Sequence, residues 1–278
     1  MPAITLRQVQ EDPNRKDIFG LLNEYIQPDS ATSVSQVAAT FAQSVKTPNE
    51  EFFWGFWDNI FNIAQQIPHG NPAQDRLALF VRELTLVPET GDEVWDARVW
   101  TDLPLLGAAV REHLDKVVDT AARVSFHAFV ARLLHAGVSP GAETTAIWML
   151  RDALEENPKA NADAGGEFDR DLMTAAVYIE YAGATLAQKV ALQPEPQLEE
   201  AQRRSLRGGE LWKKKDTDKD KDKGSSSSSG LTADRWAFWG RRFRELGGDK
   251  ATAGAEAKKT ALHAARLIEM WAQTRVST

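Results

Sequence analysis

The sequence contains no cysteine among its 278 residues. Disulfide frameworks, thiolate zinc sites and cysteine nucleophiles are therefore excluded. Basic charge is also in short supply, because 40 acidic residues face 33 lysines and arginines, which gives a formal net charge of -7. A chain with this balance offers no broad positive field to a phosphate backbone, so we expect no nucleic-acid partner.

Long hydrophobic runs and export signals are missing as well. No apolar stretch approaches the roughly 18 residues that a membrane span requires. The first residues, MPAITLRQVQEDPNRKD, lack a basic start followed by an apolar segment, and no Asn-x-Ser/Thr sequon occurs. These absences predict no membrane partner, no secretion, and a location in the cytoplasm or nucleus.

Motifs for metals, phosphates and nucleophiles are also lacking. The five histidines form no His-x-x-x-His, His-Glu-x-x-His or Glu-x-x-His pattern. The run DTDKDKDKG begins like a calcium loop but has Lys221 where such a loop needs glycine. No glycine-rich phosphate loop or nucleophile elbow appears. We therefore expect no metal and no cofactor, and the missing catalytic signature argues against an enzyme.

Apolar residues recur at a spacing near 3.6 along most of the chain, whereas alternating strand patterns are scarce. This periodicity predicts an all-α fold, a single compact bundle of about ten helices around a buried central helix. Residues 1–13 are predicted to be a flexible N-terminus, and one all-α domain is predicted over residues 14–278. The run KKKDTDKDKDKGSSSSSG at residues 213–230 has nothing apolar to bury and predicts a disordered insert.

Polar residues that precede apolar stretches predict where several helices begin. Ser33 and Asn49 are expected to cap two helices, because their side-chain oxygens can accept hydrogen bonds from the first turn. Asn71 is expected to cap a third helix, with Gln74 reaching back toward its start.

The segment at residues 117–138 is apolar on nearly every side and predicts the central helix, which Gly137 ends. It contains Arg132, whose guanidinium cannot lose its charge and must find carboxylate or carbonyl partners. The preceding stretch, VWDARVWTDLPLLGAAVRE at residues 94–112, reads as buried helix. It supplies three candidate partners, Asp96, Asp102 and Glu112, of which Asp102 is also a candidate helix cap.

Five side chains form the candidate binding site: Arg132, His127, Trp95, Arg98 and Trp100. In a functional interpretation, Arg132 clamps an anionic ligand beside the aromatic residues. In a structural interpretation, which we favour, it forms an internal salt bridge that fixes helix register. A separate binding surface is expected if Trp236 or Trp239 is exposed beside Arg241, Arg242 and Arg244.

Six motifs in this order resemble a family of filamentous-fungal proteins of unknown function. They are IPHGNPAQDRL, VWDARVWTDLPLLGAAVRE, FHAFVARLLHAGV, AAVYIEYAGATL, GGELWK and RWAFWGRRF. The resemblance covers most of the chain from about Asn49 onward. It implies a fungal source and an all-helical fold, and it implies no activity.

These observations favour a non-enzymatic helical protein whose partner is another protein. The alternative is a small-molecule-binding or catalytic helical domain in fungal specialised metabolism, with a pocket near Arg132 and His127.

Overall fold

The computed structural model describes residues 2–7, 16–114, 116–139, 141–157, 166–193, 196–213 and 229–273. The all-α class is confirmed, since the only β-structure among these residues is one antiparallel pair of two-residue strands. The chain divides into two compact units, Met1–Ala142 and Glu143–Thr278. The single bundle and the single domain over residues 14–278 stay predictions.

The first unit carries the candidate site residues. Its elements are α1 (Lys16–Tyr25), α2 (Val34–Ser44), α3 (Glu50–Gln66), α4 (Ala73–Leu84), β1 (Glu93–Val94), β2 (Ala97–Arg98), α5 (Leu106–Leu114) and α6 (Thr120–His135). In the second unit, α7 (Ala142–Leu154) starts at the boundary residue and is followed by α8 (Glu167–Leu192), α9 (Glu200–Ser205), α10 (Ala233–Leu246) and α11 (Ala255–Gln273). None of the described helices combines the length and apolar character needed to cross a bilayer.

Two of the predicted helix caps are confirmed. The Ser33 hydroxyl accepts a hydrogen bond from the Gln36 amide at 3.3 Å, and the Gln36 side chain accepts one from the Ser33 amide at 3.2 Å. The Asn49 side chain accepts a hydrogen bond from the Phe52 amide at 2.8 Å. In both helices the cap satisfies amides that the first turn leaves without intrahelical acceptors.

Gln74 differs from its predicted role. Its side chain is fully buried and does not reach back to the start of α4. Instead, Nε2 lies 2.8 Å from the carbonyl oxygens of Ala64 and Ile67 at the carboxyl end of α3. Gln74 therefore satisfies carbonyls that α3 leaves without intrahelical donors, a role that only the packed fold makes visible.

The predicted central helix is α6 of the first unit. Asp119 caps its start, residues 124–134 are all buried, and Gly137 follows its end with a left-handed φ of 76°. The helix packs against α3 and α4. Val118, which the periodicity assigned to it, precedes the cap and is 78% exposed.

The prediction that residues 94–112 form a buried helix is wrong for residues 94–105. These residues form the hairpin of β1 and β2 and then an irregular loop, and α5 begins only at Leu106. Leu103 and Leu105 have left-handed φ values of 48° and 64°, which no helix allows. They are nevertheless buried, and the intervening Pro104 carbonyl accepts a 2.7 Å hydrogen bond from the buried Trp57 indole. The apolar spacing was thus a core signal without being a helical one.

In the second unit a fully buried ion pair joins Glu155, just after α7, to Arg235 on α10. Both side chains are 0% exposed, and the contact is bidentate, with Nε 2.6 Å from Oε1 and Nη2 3.1 Å from Oε2. The other guanidinium hydrogens reach the carbonyls of Leu206, Arg207 and Gly230. All five donors of the guanidinium therefore have acceptors.

Glu155 is equally well satisfied. Its carboxylate accepts hydrogen bonds from the Trp239 indole at 2.6 Å and the Gly209 amide at 2.7 Å. A Cβ at Gly209 would lie 2.8 Å from the Glu155 carbonyl oxygen, so the close approach requires glycine. Arg235 thereby holds Leu206, which precedes the predicted insert, and Gly230, which is the last residue of that insert. Residues 214–228 of that insert lie outside the described residues, as do residues 1 and 8–13 of the predicted flexible N-terminus.

Breaking the buried pair from one side should be strongly destabilising. We expect Glu155→Gln to lower the free energy of unfolding by about 3–5 kcal/mol, because it leaves an unneutralised guanidinium in the interior. The double variant Glu155→Gln/Arg235→Met should lose clearly less than the sum of the two single changes. Urea unfolding of all four proteins measures this coupling, and strictly additive losses would contradict it.

Candidate functional site

The hairpin of β1 and β2 is closed by a turn with a left-handed backbone. Glu93 pairs with Arg98 and Val94 with Ala97, so Trp95 and Asp96 form the two-residue turn. Both turn residues are left-handed, with φ values of 54° and 59°. Such turns favour Asn, Asp and Gly, whereas a left-handed conformation costs a residue such as tryptophan about 1–2 kcal/mol. A tryptophan at this position is therefore held against its backbone preference.

The Trp95 side chain is exposed at the tip of this turn. It is 64% exposed, and its indole nitrogen donates a 3.0 Å hydrogen bond to Oε2 of Glu50 in the first turn of α3. The other oxygen of Glu50 accepts a 3.3 Å hydrogen bond from the half-buried Trp54. One carboxylate thus orients two indoles. We call Trp95, Trp54 and Glu50 the hairpin-tip surface.

Exposed acidic side chains are frequent in the segments that carry the hairpin-tip surface. The exposed carboxylates of α3 and the hairpin region are Glu50, Glu51, Glu89, Asp92, Glu93 and Asp96. Burial acts to raise the pKa of Glu89, but hydrogen bonds from Thr101 and from the Trp100 amide outweigh it and hold the pKa below its usual value. Glu89 therefore stays ionised at neutral pH.

Arg98, one of the predicted site residues, lies on β2 and is paired rather than open. Its side chain makes two hydrogen bonds to Asp102, at 3.0 and 2.9 Å, and its amide makes a third at 2.8 Å. The hydrogen bond from Arg98 lowers the pKa of the Asp102 carboxyl. Asp102 is thus a partner of the hairpin rather than a helix cap. The charge of Arg98 also interacts with Glu89 and Glu93, but the six exposed carboxylates outnumber it.

Arg132 is buried on α6 and paired within its own unit. Nε lies 2.6 Å from the Asp75 carboxylate on α4, and further hydrogen bonds reach the carbonyls of His69 at 2.9 Å and Ala128 at 3.3 Å. The carboxylate thus comes from α4 rather than from the stretch at residues 94–112. Because the pairing spans two helices and the loop before α4, it fits the structural interpretation of this arginine.

His127 is fully buried on α6, beside the ring of Phe126. Burial, with a smaller contribution from the positive charge of Arg123, lowers its pKa well below the usual value. His113 on α5 is also buried, and burial is the main cause that lowers its pKa. The negative charge of Asp58 acts to raise this pKa, and the positive charge of Lys116 acts to lower it. Both rings are therefore held neutral at physiological pH.

The five predicted site residues divide into two groups. Trp95 and Arg98 lie on the surface, whereas Trp100, His127 and Arg132 are buried. Trp100 packs edge-on against Phe41 and Phe53, with ring centroids 6.0 and 6.4 Å apart. Ligand binding at Arg132 and His127 stays a prediction, and the exposed group is the one that can meet a partner directly.

Sequence reasoning missed two polar arrangements. The ion pair of Glu155 and Arg235 involves Trp239, which lies one helical turn after Arg235, a spacing that places both on one face. Gln27 and Gln66, which bind the N-terminal residues, have no signal in the local sequence. The expected surface on α10 is also absent from the described residues, because Trp236 and Trp239 are buried. No group of three potential metal-ligating side chains occurs in the described part of the chain.

A family model described as "Protein of unknown function (DUF3632)" matches residues 57–243, about two thirds of the chain. The matched range includes the hairpin, α6 and the buried ion pair, whereas Glu50, Trp54 and the N-terminal residues lie before it. No curated protein and no solved structure matches the chain. The function must therefore be argued from the site itself.

Replacement of the buried arginine of α6 tests its structural role. Arg132→Met should lower the free energy of unfolding by about 1–3 kcal/mol, because the His69 and Ala128 carbonyls lose a donor. Arg98→Met is the matched control and should cost clearly less, since its ion pair is exposed to solvent. Urea unfolding measures both. A stabilised Arg132→Met protein that has lost a bound ligand would contradict the structural role.

The two buried histidines predict acid sensitivity of the first unit. Their lowered pKa values mean that the unfolded chain binds more protons, so stability falls as the pH drops below about 6.5. Each histidine contributes a slope of up to about 1.4 kcal/mol per pH unit between its unfolded and folded pKa values. His127→Phe should reduce the change of the free energy of unfolding with pH. Urea unfolding at pH values from about 8 to about 5.5 measures this change.

Phe126→Leu provides the control for this measurement. It disturbs the same ring cluster without removing a titrating group, so it should lower stability at every pH and leave the slope unchanged. Retention of the full slope by His127→Phe would contradict the assignment.

Proposed function

The chain belongs to the DUF3632 family of proteins of unknown function, and from that premise we propose that it is a non-enzymatic protein-interaction module of fungal origin, acting in the cytoplasm or nucleus. The observation that carries this proposal is the exposed indole of Trp95 on a strained turn. Trp95 is the docking residue of this module, and the partner is a protein segment rich in lysine or arginine.

Exposure of Trp95 supports a docking role. Tryptophan is among the residues that dominate binding energy at protein interfaces, because one rigid ring buries a large area. The hydrogen bond to Glu50 already restricts the ring, so less side-chain freedom is lost on binding than for an unrestrained side chain. Glu50 and the partly exposed Trp54 extend the same surface.

Backbone strain at the turn supports the same role. Asparagine or glycine would relieve the left-handed conformation at residues 95 and 96 and would also avoid an exposed ring. Beyond the exposed hydrogen bond to Glu50, folding therefore gains little from tryptophan at this position. Strained residues that the surrounding structure holds in place concentrate at functional sites.

The charge of the region identifies the chemistry of the partner. Six exposed carboxylates lie in the first turn of α3 and in residues 89–96, and the one arginine of the hairpin is paired with Asp102. Lysine and arginine side chains bind both to carboxylates and to the face of an indole ring. A basic segment satisfies both features at once, whereas an acidic one would be repelled.

Binding of defined peptides tests this function. The probes are short synthetic peptides in matched pairs, one member rich in lysine and arginine and the other with glutamate at the same positions. We expect basic members alone to bind the immobilised protein in biolayer interferometry, with affinity that falls as salt is added. Trp95→Asn should weaken binding by about 2 kcal/mol or more, roughly 30-fold in Kd.

Two variants separate the indole from the strain. Asp96→Gly places the residue that such turns favour at the second turn position and keeps Trp95, so stability should be equal or higher. Although it removes one of the six carboxylates, it should weaken binding far less than Trp95→Asn does. Leu86→Asn removes a different exposed apolar side chain, 67% exposed, and should also retain binding. Equal binding of basic peptides by the Trp95→Asn protein, or binding by no member of the panel, would contradict the proposed surface.

A further inference from the structure

Two glutamine side chains hold the N-terminal residues of the first unit. Gln27, two residues after α1, accepts a 2.9 Å hydrogen bond from the amide of Ile4 and donates one of 3.0 Å to the carbonyl of the same residue. Gln66, the last residue of α3, does the same with Arg7, at 2.7 and 3.0 Å. Each side-chain amide thus exchanges both bonds with one peptide residue, as a neighbouring strand does in a sheet. We call Gln27 and Gln66 the glutamine clamp.

Helix carbonyls, of α1 for Gln27 and of α3 for Gln66, orient both amides of the glutamine clamp. Nε2 of Gln27 also donates to the Asn23 carbonyl at 2.9 Å, and Nε2 of Gln66 donates to the Asn62 carbonyl at 2.8 Å. A primary amide has two N–H groups, so one can fix the side chain while the other binds a peptide. The same arrangement occurs twice, at partners four residues earlier in both cases. This repetition gives the clamp a preorganised geometry.

The clamp binds main-chain atoms and leaves the choice of side chain to the intervening positions. Ile4 and Leu6 are half-buried, whereas Ala3, Thr5 and Arg7 are exposed. Burial at every second residue is the pattern of a strand-like segment with one face against the protein. Backbone bonds supply affinity and alternate side chains supply selectivity, as in peptide recognition by strand addition.

We infer that the glutamine clamp is a peptide-binding site for strand-like segments with apolar residues at alternate positions. Its partner is such a segment of another protein, and the chain's own residues 2–7 occupy the site until they are displaced. Because residues 2–7 are tethered to the unit, they are present at a high effective concentration, so a partner must compete with them. The site is separate from the hairpin-tip surface, and its test does not depend on that surface.

A full-length variant that releases the N-terminal residues tests the inference. Ile4→Pro/Arg7→Pro removes the two backbone N–H groups that the clamp accepts, and leaves the clamp intact. The probe is the fluorescently labelled synthetic peptide PAITLR, which corresponds to residues 2–7. By fluorescence anisotropy, the variant should bind this peptide at least about tenfold more tightly than the unsubstituted chain, in which the site is already occupied.

Substitutions in the clamp identify the site of binding. In the released variant, Gln27→Ala or Gln66→Ala should abolish measurable binding. Gln65→Ala is the matched control, since it removes a neighbouring glutamine whose Nε2 bonds to the Asn62 side chain, and it should leave binding unchanged. The released variant with Trp95→Asn should also bind normally, so failure of the hairpin-tip surface and failure of the clamp are distinguishable.

Three results would overturn the inference. They are equal peptide affinity of the released and unsubstituted chains, an equal loss in the Gln65→Ala control, and a dimer that exchanges N-terminal residues, which would make a second copy the occupant. If the released variant does not fold, hydrogen exchange of the unsubstituted chain decides. Excess PAITLR peptide should then speed exchange of the Ile4 and Arg7 amides at least about tenfold, and unchanged exchange would overturn the inference.

Discussion

A guanidinium that is removed from water keeps its charge and must find all of its partners within the protein. Each unit of this chain contains one, and the placement of several elements follows from its requirements. Arg235 gathers the end of α7 and both sides of residues 214–228 around five donors. Arg132 ties α6 to α4 and to the loop that precedes it. Main-chain carbonyls join the carboxylate around both guanidinium groups, so both arginines fix the positions of loop residues as well as of helices.

The hairpin of β1 and β2 differs from these buried ion pairs, because its turn is exposed to solvent. At its tip, two residues have a left-handed backbone, and the large side chain of Trp95 is exposed. The left-handed backbone at Trp95 raises the free energy of the folded chain, and an exposed indole gains little from burial. The proposed role of the exposed indole is contact with a partner outside the protein, whereas the buried arginines bond to groups within their own units.

Local signals in the sequence were sufficient for features that depend on neighbours along the chain. The caps at Ser33 and Asn49, the buried middle of α6 and its end at Gly137 all followed from spacing and side-chain chemistry. The stretch at residues 94–105 failed because Leu103 and Leu105 are buried with left-handed backbones, and apolar periodicity cannot distinguish that loop from a helix. The partners of Arg132 and Arg235 lie 57 and 80 residues away, so they are set by tertiary packing and have no local signature.

Glutamine shows how burial decides between structure and binding when the chemistry is unchanged. Gln74 is fully buried, and its amide hydrogens reach carbonyls at the end of α3, so the group is consumed in joining two helices. Gln27 and Gln66 are only half-buried. One N–H group of each bonds to a carbonyl four residues earlier, and the remaining polar atoms bond to residues 4 and 7. A donor that is fixed on one side and open on the other is a site for whatever backbone can reach it. A fully buried glutamine amide therefore joins two helices, whereas a half-buried one can bind a peptide backbone, as we infer for Gln27 and Gln66.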